Sequence, residues 1–259
     1  MATPESPSRL GVLRGAAAPV LLLAVLEWYA RTVGANSDAI AAPSAAARAL
    51  VGALVDGSLL DATLFTLKAA ALGLGLGTLL GVAAGIVLGL SKRAAAAGFL
   101  SIEMLRPVPS VALIPIAMLV FGFGLRMELG VVAFATFWPL LILTQSAVQQ
   151  VEPRLLEVAA SLQLGPWQRV RKIVLPAVLP RLFVALRLGV AIALVVAVTV
   201  EIAANPNGMG YALMIAQQSL DPALMLAWLF WIGALGVAIN ASALQLQRAA
   251  ARRMGELAS

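Results

Sequence analysis

Residues 152–180, EPRLLEVAASLQLGPWQRVRKIVLPAVLP, form the longest polar interruption in an otherwise apolar chain. The stretch reads as two helical halves, LLEVAASLQL and PWQRVRKIVL, joined at Gly165-Pro166. Gly165 can take the left-handed conformation that ends a helix. Pro166 suits the first position of the next helix, where its missing N–H costs nothing. Pro153 and Pro176 punctuate the two outer ends. The expectation is an ordered helix–turn–helix between two membrane spans.

Composition sets the class around that segment. The 259 residues are 61% hydrophobic and 12% charged, with a mean hydropathy of +0.97. Several apolar runs reach the ~20 residues a helix needs to cross a bilayer. Backbone groups cannot go unpaired in lipid, so the membrane part must be helical or a closed barrel. Runs of Leu, Ala and Gly without period-two alternation favour helices. The net charge of +6 sits in short loops beside spans, which fits an orientation signal better than nucleic-acid binding. With no Cys and no His, disulfides, thiolate chemistry, the commonest zinc ligands and His-based triads are excluded.

Working outward, the reading predicts an all-α membrane protein of about six transmembrane helices. A cytoplasmic tail over 1–14 precedes a first span over 15–33, taken as retained rather than as a signal peptide because Trp28-Tyr29 resemble an interfacial anchor. Glu27 reads as interfacial. An external segment reaches residue 61, with a short amphipathic helix over Pro43–Val55. The second span, 62–90, carries Gly77, Gly81, Gly85 and Gly89 on one stripe, which lets another helix approach closely. Ser91-Lys92-Arg93 is a basic loop. The third span, 98–121, holds Pro107, Pro109 and Pro115 and must be kinked or locally unwound. Arg106 at that break either pairs with Glu103 or snorkels, or else faces the translocation path. FGFGLRME (121–128) is an outer turn. The fourth span, 129–149, has Trp138-Pro139 at its middle and Gln145 toward its inner end. Spans over 182–203 and 223–244 follow, with Glu201 near the outer end of the fifth, and a tail over 248–259. Placing Arg31, Arg48, Lys68 and Arg126 outside leaves the other 14 of 18 Lys and Arg inside, with both termini cytoplasmic.

The cytoplasmic segment resembles the permease subunit of a binding-protein-dependent ABC importer of the type I (MetI-like) fold. That family's signature is Glu-Ala-Ala, three residues, Gly, then a helix ending in Ile-x-Leu-Pro. Glu157 and Ala159 fit it, Val158 replaces the first Ala, and Gln163 replaces the Gly; Gly165 follows two residues later. LRPVPSVALIPIAMLVFGFG, LPAVLPRLFVALRLGVAIALVVAVTVE and NGMGYALMIAQQSLDPALMLAWLFWIGALGVAIN are similar to the nitrate/sulfonate/taurine permease group, although Asn240 stands where the family commonly has Asp.

The resemblance implies a permease core over 62–247 in the bacterial plasma (inner) membrane. It implies a second permease chain, identical or different, a cytoplasmic ABC ATPase dimer that holds ATP and Mg²⁺, and an external solute-binding protein. No cofactor is bound directly and no catalytic site is expected. Glu157, Ala159, Ala160, Gln163, Leu164 and Gly165 are the implied ATPase-coupling residues; the alternative for Glu157 is a local pair with Arg154 or Lys172. Loss of Gly at 163 suggests a non-identical partner chain. Arg106, Pro109, Gln145 and Glu201 are the candidates for the translocation path. Glu201 either lines that path or is bonded to the turn Asn205–Gly208. The solute expected is a small anion such as a sulfonate, taurine or nitrate; a pyrimidine or another nutrient remains an alternative. An intramembrane enzyme is disfavoured by residue content. A channel or ion-coupled transporter is disfavoured because Glu201 has no evident carboxylate partner in the membrane.

Overall fold

The computed structural model describes residues 9–33 and 40–253, and every regular element among them is helical. The expected tails lie partly outside these residues. The helices are α1 (Arg9–Thr32), α2 (Pro43–Val55), α3 (Ser58–Leu90), α4 (Lys92–Leu105), α5 (Ile114–Phe121), α6 (Leu125–Gln149), α7 (Pro153–Ser161), α8 (Pro166–Arg169), α9 (Leu175–Ala203), α10 (Gly208–Gln218) and α11 (Pro222–Arg253). Four helical segments are long and apolar enough to cross a membrane: α3, α6, the continuous Pro166–Ala203 and α11. A fifth crossing is made if α4 and the Ser110–Phe121 segment, bent by 86° from one another, count as one span. The sixth expected span falls on α1, part of whose side chains lie outside the described residues.

The chain divides into two compact units, residues 1–60 with 212–232 and residues 61–211 with 233–259. In the first, Glu27 ties α1 to the start of α2. Its carboxylate accepts from the Ser44 N–H (2.9 Å), the Ser44 hydroxyl (2.7 Å) and Arg31 Nε (2.5 Å). An anion at a helix start satisfies free N–H groups there, so Glu27 is a structural clasp.

The second unit is built on α6. One face of α6 packs along α9, and the shared core contains Met127, Val131 and Val132 of α6 with Ala193, Val196, Ala197 and Val200 of α9. Another face receives the glycine stripe of α3. A Cβ added at Gly81 would lie 2.8 Å from the Phe137 carbonyl oxygen, and at Gly85 or Gly89 it would lie 2.6 Å from Thr144 or Val148 Cβ. Gly77 faces Ala133 and Thr136, and Gly73 extends the seam to Val132. The close approach expected from the four-residue spacing is therefore present, and α6 is its partner.

Several boundaries differ from expectation. Ser91 is the N-cap of α4, accepting from the Ala94 N–H at 3.2 Å, so Lys92 and Arg93 begin a helix rather than form a loop. The fourth span begins at Leu125, which draws Glu128 out of the expected turn and into the buried face of α6. Pro176 does not end a helix. The chain widens to a π-turn over Val170–Val174 immediately before it and continues into α9. A widened turn of this kind tolerates the N–H that proline lacks.

Substituting Gly77→Leu inserts a branched side chain into the α3–α6 seam. Such overpacking costs at least about 2 kcal/mol, so the purified variant should unfold at a lower temperature than wild type. Gly75→Leu is the control, since nothing lies within 4 Å of a Cβ at Gly75.

Candidate functional site

Three constellations stand out. The first is the 152–180 segment. Helix α7 is amphipathic: Ala159 is 1% exposed, and Leu156 packs with the cluster Ala147, Val148, Val151, Val174 and Val178 at the junction of α6 and α9. The opposite face presents Leu155, Val158 and Leu162 to the outside, and Trp167 follows; Leu162 and Trp167 are 64% and 73% exposed. Ala159, expected among the coupling residues, is thus sealed against its own chain. Ala160 and Glu157 are exposed, and Leu164 is half-buried. Arg154 pairs with Glu152 (4.0 Å) rather than with Glu157.

The turn after α7 corrects the assignment of Gly165, whose backbone is extended (φ −62°, ψ 161°). The left-handed residue is Gln163, with φ 49°. Gln163 N–H donates to the Ala160 carbonyl (2.9 Å) and Leu164 N–H to the Ala159 carbonyl (3.0 Å). This pair of bonds closes a helix end around a left-handed residue, where glycine is favoured. Gln163 occupies the signature's glycine position and keeps its geometry. The replacement therefore supplies no reason by itself to infer a different partner chain.

The second constellation is the break in the third span. The α4 helix stops at Leu105, a 3₁₀ turn runs over Ser110–Leu113, and α5 follows. Arg106 Nη1 lies 3.6 Å from Glu103 Oε1, both side chains being half-exposed. Arg106 also lines a cavity of about 410 Å³ with Val108, Ser110, Phe134, Trp138 and Pro139 among its walls. Pro109 is exposed at the break. Gln145 does not join this cavity; its backbone abuts Gly85 and Gly89 of α3.

The third is a sealed polar cluster. Glu128 and Glu201 are both fully buried, with Thr66 and Asn205. Asn205 Nδ2 donates to Glu128 Oε2 (2.5 Å), Gly210 N–H to Glu201 Oε2 (2.8 Å), and Met209 N–H to Thr66 Oγ1 (3.0 Å). Gly208, at φ 89°, packs so closely on the Glu201 carboxylate that a Cβ would collide with it. Glu201 is buried and bonded to the backbone just past the Asn205–Gly208 turn. It braces the start of α10 against α3, α6 and α9. Sequence reading missed its partner Glu128, because the turn FGFG seemed to extend to it. Beyond these, Arg187 Nε of α9 donates to Asn240 Oδ1 of α11 at 3.1 Å.

Residues 77–256 match the sequence profile of the binding-protein-dependent transport system inner membrane component. The chain belongs to that family. The permease is 30% identical over 210 residues to the protein named as the aliphatic sulfonates transport permease SsuC of Bacillus subtilis, covering 81% of this chain and 76% of the relative. It is 27% identical to the bicarbonate transport system permease CmpB of Synechococcus elongatus, over 77% of this chain and 72% of that one. Its fold is that of a chain of the inward-facing MetNI methionine ABC transporter. That match has a TM-score of 0.63 at 19% identity and covers 74% of this chain and 95% of the other. The expected fold class and the resemblance to the sulfonate/nitrate/taurine permeases hold.

Two outcomes check this geometry. Gln163→Gly relieves a left-handed non-glycine residue, which costs roughly 1–2 kcal/mol in an L-residue, partly offset by glycine's backbone entropy. The variant should be up to about 1 kcal/mol more stable in denaturant unfolding. Glu201→Ala strands the Gly210 N–H and should destabilise by about 1–3 kcal/mol. Glu201→Gln, which keeps the side chain's volume and an acceptor oxygen, should fold and transport as wild type.

Proposed function

We propose that this permease forms, with a second permease chain, the path of a small anion into the cell. An external binding protein delivers the solute, and a cytoplasmic ABC ATPase dimer, holding ATP and Mg²⁺, drives the cycle. The permease itself does no bond chemistry. The relatives named for aliphatic sulfonates and for bicarbonate support the class of solute, since both are small oxyanions.

The observation that carries the coupling role is the outward ridge of Leu155, Val158, Leu162 and Trp167 on a segment anchored from beneath by Leu156 and Ala159. An apolar ridge beside Arg154, Arg171 and Lys172 suits a groove on a partner protein with an acidic rim. The anchoring makes a push on the ridge a push on α6 and α9 as well. A ligand that favours one of two states then suffices to alternate them. Glu157 and Ala160 flank the ridge as contacts, while Gln163, Leu164 and Gly165 set the angle between α7 and α8. Both termini face the cytoplasm in this reading, which puts the ridge on the ATPase side.

Replacing Leu162 and Trp167 together by Glu tests the assignment in proteoliposomes containing the full importer. Stimulation of ATP hydrolysis by loaded binding protein should fall at least tenfold, about 1.4 kcal/mol of coupling. Unchanged stimulation would instead put the ridge in the lipid headgroup layer.

A further inference from the structure

We propose that Glu128 and Glu201 hold a single proton between them, a sealed proton-binding site that fastens the start of α10 to α6 and α9. The site does not depend on which solute the importer carries.

Both residues are at 0% exposure, enclosed with Thr66 of α3, Asn205 and the first residues of α10. In each carboxyl, Oε2 accepts one bond, from the Asn205 amide or from the Gly210 N–H. In each, Oε1 is buried and has no hydrogen-bond partner. Yet the two carboxyls lie within hydrogen-bonding reach of one another. Gly208 closes over Glu201 Oε1 so tightly that a side chain there would collide with it. Buried oxygens are almost always paired, so two unpaired ones on facing carboxyls point to a shared partner.

The hydrogen-bond inventory decides how many protons fit. With none, two like charges face each other away from water, and facing carboxylates do not ionise together in such a place. No cation offsets them. Lys68 of α3, Arg126 of α6, and Arg181 and Arg187 of α9 are the basic residues on the helices around the cluster, and α10 carries no charge. None of the four acts on either carboxyl, and neither does Asp61, the other acid on α3. With two protons, the second O–H finds no acceptor, because both Oε2 atoms already face N–H donors. One proton satisfies every oxygen. It bridges the two free ones, while Asn205 and Gly210 keep the other two. The single remaining negative charge is then shared by two carboxyls and three hydrogen bonds, as a buried charge requires. The proton comes from water as the chain folds and returns to water when the pair parts.

The test unfolds the full-length permease in a denaturant titration at several pH values. Free glutamates are ionised above about pH 5, so folding takes up one proton that the unfolded chain does not hold. Stability must fall as pH rises, until the pair itself gives up its proton. In Glu128→Gln and Glu201→Gln an amide N–H stands in for the O–H, and no proton is taken up. Between about pH 5 and 7 the wild-type unfolding constant should therefore rise about tenfold more per pH unit than in either variant. The double variant sets two amides against one another and leaves an N–H without an acceptor. Its unfolding constant should exceed the value expected from the two single changes at least about fivefold. If the double variant does not fold, the pH slopes of the single variants decide. Equal slopes in wild type and both single variants overturn the shared proton, and so does a wild-type excess of two protons. A wild-type stability that follows sodium concentration at fixed pH would assign the gap to a metal cation and overturn it as well.

Discussion

The seam between α3 and α6 is the contact on which the rest of the second unit depends. Two apolar helices in lipid gain little from hiding apolar surface, because the acyl chains are as apolar as leucine. Their association must come from close van der Waals contact, and that needs backbones near one another. Glycines at 73, 77, 81, 85 and 89 provide it, bringing α3 against Val132, Thr136, Leu140, Thr144 and Val148 of α6. With that face of α6 occupied, its other face is committed to α9. The span break and the coupling segment both belong to the unit built on α6.

Function collects where helices are interrupted. At the third span the backbone leaves helical geometry over residues 106–113 and opens a cavity. At the coupling segment a left-handed Gln163 and a π-turn over Val170–Val174 redirect the chain without leaving loose backbone. The sealed pair Glu128 and Glu201 is satisfied on one side only: Oε2 of each accepts a bond, from the Asn205 amide and from the Gly210 N–H, while Oε1 of each has no hydrogen-bond partner. The two carboxyls hold the chain at the start of α10.

Much of this was legible beforehand. The glycine stripe, the proline-rich break and the helix–turn–helix at 152–180 all follow from local chemistry. The misses share one cause. Gly165 was expected to be left-handed because glycine tolerates it, yet hydrogen bonding at the end of α7 places the left-handed residue at Gln163. Ala159, expected among the coupling residues because it is small, is buried beneath α7 within its own chain. Glu128 was left in a turn because two glycines precede it, and α6 begins four residues sooner than expected.

The sequence by itself determined that the chain is helical, crosses a membrane and carries a polar elbow between two spans. These follow from hydropathy, glycine period and proline placement, all properties of neighbours along the chain. Only the tertiary structure decided which side of each helix is free. It put Ala159 inward and Leu162 outward, enclosed Glu201 with Glu128, and set Arg106 at the edge of a cavity between the span break, α6 and α9. Those outcomes depend on contacts between residues tens of positions apart, and a linear pattern holds no record of which helix will cover which face.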